Sequence, residues 1–216
     1  MVAVDGMPGL RERKKQRTRA AISDAAIALF LEHGFNQVSV AQVAEAAEVS
    51  KRTLFAYFPT KEDLVLHRLA DHEAEAARVV RGRPPGTAPL DELRAHFLRG
   101  LHERDPITGL NDHPHVLRLT RMIQDAPSLA ARMDRFKAGA EQALARALQE
   151  TADTPELTAR LAAVQIVGVQ WVLAQDNAAR LAAGTPADTR HPGAVADAEQ
   201  AFALLADGLR DLTPRR

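Results

Sequence analysis

The stretch SVAQVAEAAEVSKRTLFAYFPTKEDL, residues 39–64, decides how this chain is read. Ser39 stands at a helix cap, and Gln42 three residues on completes a reciprocal capping box. Val40, Val43, Ala44 and Ala47 then line one face of a short helix. Ser50 caps a second short helix, Lys51 to Tyr57, whose apolar residues are Leu54, Phe55 and Phe58. Pro59 prevents its continuation. Thr60 caps the next helix, with Asp63 in place of the usual glutamate of the box. Two short helices joined by a tight turn form a helix-turn-helix. The second begins Ser50-Lys51-Arg52-Thr53, so its donors lie in the first turn. Those positions reach base edges and phosphates when such a helix enters a major groove.

Upstream, Ala21, Ile22, Ala25, Ala26, Leu29 and Phe30 recur at amphipathic-helix spacing, and Gly34 stops the run. Ahead of them Arg11, Arg13, Lys14, Lys15, Arg17 and Arg19 face only Glu12. The whole chain is neutral, with 28 basic and 28 acidic residues. A basic block on a neutral protein suits one phosphate-facing end. Residues 1–10, with two Gly and one Pro and no period, read as a disordered arm.

Downstream, one connecting helix is expected over 59–81, closed by the breaker run Arg81-Gly-Arg-Pro-Pro-Gly-Thr-Ala-Pro89. Helices then read from Leu90 to Leu101, from Pro114, and from Pro127 to Leu148. Thr154 as cap and Pro155 as first residue open a long helix to Ala183, and a last helix runs from Gly193 to Leu212. About nine helices and no strand alternation predict an all-α fold. A helix-turn-helix domain over 11–58 precedes a regulatory and dimerisation domain over 82–216.

The 39–64 segment resembles the DNA-binding signature of TetR-type repressors. Ser39, Val43-Ala44, Ala47, Val49-Ser50, Thr53, Tyr57-Phe58, Lys61-Glu62 and Leu64 all fall in register, as do the preceding Leu29-Phe30 and Gly34-Phe35. The strong likeness covers residues 12–66; beyond that it rests on length and helical organisation. The wording Arg-Thr-x-Phe-x-Tyr-Phe-Pro-x-Lys-Glu-Asp is similar to the branch of the mycofactocin regulator. Residue by residue, the resemblance implies that Lys51, Arg52 and Thr53 face the major groove beyond the Ser50 cap. Tyr57 and Lys61 would hold phosphates, Ser39 and Val40 would offer backbone N–H groups to phosphate, and Arg17 and Arg19 would reach the flanking backbone. Two positions depart from the family. Glu48 stands where the turn usually has Gly, which adds about 1 kcal/mol of strain if the left-handed conformation persists. Phe55 stands where Tyr is frequent, so it is expected to pack rather than touch a phosphate.

The last two long helices point to a dimer. Val195, Ala198, Phe202, Leu205, Leu209 and Leu212 form a heptad-like seam. Leu157, Leu161, Val164, Gly168 and Trp171 follow the same rhythm on a helix that is apolar on nearly every side, which a second subunit can cover. A small-molecule pocket, implied by the resemblance, would lie among residues 90–180. Its candidate lining residues are His96, Phe97, Leu101, His115, Leu119, Met122, Phe136, Gln165 and Trp171. The expected partners are double-stranded operator DNA, a second copy of the chain and a small-molecule effector. The alternative is a constitutive or architectural helix-turn-helix protein without a sensor.

Other classes find no support. With no cysteine there is no disulfide scaffold, thiolate metal site or cysteine nucleophile, and a reducing cytoplasm fits. The longest apolar stretch, Leu161 to Ala174, is interrupted by Gln165 and Gln170, so no membrane partner is expected. No Glu is followed by His three positions later, as a di-iron bundle requires, and Asp71-His-Glu73 does not share a helix face. No phosphate loop, His-Glu-x-x-His or nucleophile elbow occurs. Neither an enzyme, a cofactor nor a metal ion is expected.

Overall fold

The computed structural model describes residues 10–70 and 72–208. The arm expected at residues 1–10, apart from Leu10, lies outside the described residues, as do Asp71, Leu209 and Leu212. Ten α-helices and one short 3-10 turn make up the regular structure among the described residues. The chain divides into two compact units, one up to Arg68 and one from Leu69 onward.

In the first unit α1 (Leu10–His33), α2 (Val40–Ala46), α3 (Lys51–Tyr57) and the start of α4 (Lys61–Ala70) enclose a small core. Ile22, Ala26, Ile27, Phe30, Val43, Leu54, Phe58 and Leu64 are buried in it. Ala21, expected on the apolar stripe of α1, is exposed. Ser23 is buried, and its hydroxyl donates to the Leu64 carbonyl at 2.7 Å, fastening α1 to α4.

The second unit holds α5 (Glu75–Gly82), α6 (Pro89–Glu103), α7 (Pro114–Asp125), α8 (Pro127–Ala152), α9 (Glu156–Ala182) and α10 (Ala187–Gly208). α8 packs along α5 and α9, and α10 packs along α6 and α9. Leu93, Leu101, Leu144, Leu148, Ile166 and Phe202 are among its core residues. α9 has the length and composition to cross a bilayer, with an 18-residue window of mean hydropathy 1.5. Here one side of it is the wall of the core, where Ala159, Ala162, Ala163 and Ile166 are buried.

Three boundaries differ from expectation. The single connecting helix over 59–81 is two helices, α4 and α5, with a turn at His72–Ala74 between them. No Gly or Pro marks this break. It is held by tertiary contacts: the Glu73 carboxylate lies against Gly139 of α8, where a Cβ would approach it to 2.0 Å. Glu75 is engaged by two histidines, His72 and His96. α10 starts at Ala187, six residues before Gly193, because Pro192 is accommodated inside the helix. Asp112 receives the Ala187 N–H at 2.9 Å, and Arg190 is tied to Asn177 and Asp176 of α9. Thr154 does not cap α9; its hydroxyl turns back to the Ala152 carbonyl.

The 3-10 turn Pro106–Thr108 is clamped onto α9. Asn177, itself buried, donates to the Thr108 carbonyl at 3.0 Å. Gly109 follows with φ of +71°, and a Cβ there would lie 1.9 Å from the Ala174 carbonyl oxygen. Gly86 also has positive φ, +84°, but faces open space. Gly109→Ala is therefore expected to destabilise well beyond the roughly 1–2 kcal/mol of left-handed strain that Gly86→Ala carries. Urea denaturation of the two variants measures the difference; equal losses would contradict the close approach.

Candidate nucleic-acid interface

The reader is assembled from local capping. Ser39 Oγ accepts from the Gln42 N–H at 3.3 Å, and the Gln42 side-chain oxygen accepts from the Ser39 N–H at 2.8 Å, so both halves of the box are made. α2 then ends in a Schellman arrangement. The Val49 N–H reaches the Ala44 carbonyl at 2.9 Å, and the Glu48 N–H reaches the Glu45 carbonyl at 3.0 Å. This geometry requires a left-handed residue, and Glu48 supplies it with φ of +53°. The family's glycine is missing but its conformation is kept, at a strain of about 1 kcal/mol.

α3 begins at the Ser50 cap. Ser50 Oγ accepts from the Thr53 N–H at 3.0 Å and lies 2.8 Å from the Thr53 hydroxyl. Thr53 is thus half-buried and held by the cap, while Lys51 and Arg52 are exposed. Leu54 and Phe58 are buried and anchor the helix. Phe55 is not the packing residue expected: it is 48% exposed. One turn from Lys51 and three residues from Arg52, it stands on the same side of α3 as both. Sequence reasoning missed it because a large aromatic in a short helix reads as core. The signal that could have found it was the frequent Tyr of the resembled family at this position, a residue that touches phosphate from the surface.

Around α3, Ser39 is exposed and Val40 and Tyr57 are half-buried. Arg17 is exposed. Arg19 is half-buried, with its guanidinium 5.3 Å from the Phe58 ring centre, so it is engaged with the first unit's own core. Lys61 is engaged too. Its ammonium donates to the Phe35 carbonyl and lies 4.5 Å from the Phe35 ring centre and 5.3 Å from that of Phe30. Partial burial lowers its pKa from the ordinary lysine value, and the charge of Glu62 works against that shift. α4 itself starts with the expected box, Thr60 and Asp63 exchanging bonds of 3.1 and 3.2 Å.

The residues expected to line a ligand pocket do not converge. Phe97 is core, 6.1 Å from the Phe202 ring centre. Leu101 is core as well, and Phe136 is buried. Leu119 and Met122 are half-buried on α7, and His115 is exposed. His96 lies 3.3 Å from Glu75. Gln165 and Trp171 do meet, in an open groove of about 460 Å³ that Lys137, Val169, Leu173 and Leu205 also line.

The expected dimer seam is redistributed. Ala198, Phe202 and Leu205 are buried in the core of their own subunit, and Val195 packs against it. Their stripe meets α6 and α9 of the same chain. Val164 is 50% exposed, and Gly168 lies half-exposed beside it. With Val164, Leu157, Leu161 and Val172 on α9 and Leu204 on α10 are the large aliphatic side chains left exposed among the described residues of this unit. Leu209 lies outside the described residues.

A model of bacterial regulatory proteins of the tetR family matches residues 22–67. Over 180 residues the chain is 31% identical to the HTH-type transcriptional regulator TcmR of Streptomyces glaucescens, spanning 78% of this chain and 79% of that one. It is 36% identical over 86 residues to a protein assigned to regulation of mycofactocin biosynthesis in Mycobacterium tuberculosis, spanning 40% of this chain and 43% of that one. The solved SmeT–triclosan complex shares the fold with a TM-score of 0.54 at 17% identity, over 89% of this chain and 91% of that one.

The geometry separates two lysines that sequence places together. Lys61→Ala should cost the first unit about 1–3 kcal/mol, because a charge-assisted hydrogen bond and two ring contacts are lost. Lys51→Ala, fully on the surface, should stay within about 0.5 kcal/mol. Thermal melts followed by circular dichroism decide this, and identical melts would contradict the role given to Lys61.

Proposed function

The chain belongs to the TetR family of bacterial regulatory proteins, and from that premise we propose that it is a cytoplasmic repressor that binds a palindromic operator as a dimer and leaves it when a small molecule binds. Members of this family are transcriptional regulators, typically ligand-responsive repressors. The observation that carries the reading is the exposed first turn of α3. It presents Lys51 and Arg52 over a satisfied Ser50 cap, with Phe55 standing beside them.

The residue roles follow from chemistry. Arg52 offers a planar donor fork suited to the O6 and N7 acceptors of guanine, and Lys51 a point charge for a base or phosphate. Phe55 gives an apolar contact for a thymine methyl group. Tyr57, Arg17 and the Ser39–Val40 backbone serve the phosphates. Thr53 and Ser50 hold the reading turn in shape. Arg19 and Lys61 act first on the first unit's own packing, and reach phosphate only as far as those contacts allow.

A palindrome is read by two heads about one helical turn apart. The exposed row Leu157, Leu161, Val164, Val172 and Leu204 is the surface proposed to meet a second copy, with Gly168 allowing close approach. The same contact would close the open side of the groove holding Gln165 and Trp171, making it a candidate effector pocket for an apolar or amphipathic molecule. The effector must bind more tightly to the state whose head spacing does not fit the operator. Each 1.4 kcal/mol of that difference is about tenfold in DNA affinity.

Selection of duplexes from a random pool should return a palindrome. On it, Arg52→Ala should weaken binding by about 1–3 kcal/mol and relax the preference at one position per half-site. Lys51→Ala should weaken all sequences alike and flatten the salt dependence by about one if it holds a phosphate. Unchanged binding in both variants would remove the reading face from α3. Trp171 is the sole tryptophan, so its emission reports the groove. A molecule that releases the operator should also change that emission. If a broad set of apolar, acidic and acyl compounds alters neither, a constitutive repressor replaces the sensor reading.

A further inference from the structure

At the start of the second unit, a turn without helix-breaking residues brings together side chains from three elements. His72 lies in the turn after α4, Glu75 at the first position of α5, and Asp105 just before the 3-10 turn. One ligand atom from each of the three lies within 4.8 Å of the other two. His72 Nδ1 is 2.7 Å from one Glu75 oxygen. His96 of α6 reaches the other Glu75 oxygen, at 3.3 Å. All four residues are partly buried.

We propose that His72, Glu75 and Asp105 bind a divalent first-row transition-metal ion, of which Zn²⁺ is the type, with His96 orienting the Glu75 carboxylate. The donor set is one imidazole nitrogen and two carboxylate oxygens. Imidazole favours zinc and its neighbours over magnesium and calcium, and the lack of thiolate disfavours Cu⁺. Three protein ligands leave positions for water or an added ligand. Bonds of about 2.1 Å set a tetrahedral edge of roughly 3.4 Å, so the contact between His72 and Glu75 must open by about 0.7 Å. A histidine rotamer in a turn can supply that. His96 stands where an outer partner of a ligating carboxylate belongs, and such partners fix orientation.

The fold itself prepares the site. Gly100 brings the Asp105 loop onto α6: a Cβ there would stand 2.9 Å from Thr108 Cγ2 and 3.7 Å from the Asp105 Cβ. Asp105 is aimed by its own cap, one carboxylate oxygen accepting from the Ile107 N–H at 3.0 Å. An ion here would tie the turn just after α4 to the loop just after α6. This inference does not depend on the operator or on the groove at Trp171.

The test is Zn²⁺ titration of the full-length chain against a chromogenic chelator, without DNA. The chain should take up one equivalent with micromolar affinity or better, and Co²⁺ should give visible ligand-field bands. His72→Gln with Asp105→Asn should lose both signals; Asn keeps the oxygen that accepts from Ile107. His113→Gln with His115→Gln, on the exposed start of α7, should keep both. Were the first double variant not to melt cooperatively, His96→Gln serves, and should weaken Zn²⁺ about tenfold. Failure of the wild type to take up Zn²⁺, uptake by the double variant equal to wild type, unchanged affinity in His96→Gln, or preference for Mg²⁺ would each overturn the assignment.

Discussion

A helix apolar on nearly every side has to be covered on nearly every side, and α9 sets that demand for the second unit. Its inner face is met within the chain by α8 and α10, through Ala159, Ala162, Ala163, Ile166 and Val167. Small residues at these positions let the neighbouring helices approach closely. Its outer face keeps Leu157, Leu161, Val164 and Val172 between 50% and 66% exposed, with Leu204 of α10 at 67%. Covering a half-exposed aliphatic side chain gives about 1 kcal/mol. Five such side chains on each of two copies give about 10 kcal/mol, within the range of the cost of association. The row is therefore large enough to drive pairing only when the small residues around it pack as well. Dimeric behaviour is typical of the family, and this surface is the one proposed to carry it.

In the first unit the corresponding demand is on backbone groups, not on apolar area. α2 and α3 are too short to be stable alone. They persist because each end is satisfied: the Ser39–Gln42 box, the Schellman turn through Glu48, and the Ser50 cap. Capping spends Thr53 on structure and leaves Lys51, Arg52 and Phe55 outward. The cations Arg19 and Lys61 are drawn onto Phe58, Phe30 and Phe35. In so small a core, aromatic faces and long basic stems substitute for apolar volume.

What sequence made legible follows the range of the interactions. Caps and boxes act over three residues, so Ser39, Ser50 and Thr60 were readable and are made as expected. The turn at Glu48 was only half readable: the family's glycine pointed to a left-handed residue, but whether Glu48 keeps that conformation was open until its φ of +53° decided it. The break between α4 and α5 was not readable, because it depends on Glu73 lying against Gly139 and on His96 reaching Glu75. The last helix reads from Gly193, yet it begins at Ala187 with Pro192 absorbed inside it. The stripe Val195, Ala198, Phe202, Leu205 was visible as a stripe, but periodicity does not say which surface it meets; Phe202 faces Phe97 of the same subunit. The cluster of His72, Glu75, His96 and Asp105 was hidden for the same reason, its members being spread over a turn, two helices and a loop.

The account turns on the outer face of α9 being closed by a second copy. Sedimentation equilibrium of the free protein at micromolar concentration measures this directly. Twice the chain mass of 23.5 kDa is the predicted result, with Leu161→Asp shifting the mass toward one chain while the helical circular dichroism is kept. A wild type that sediments as a single folded chain would contradict it.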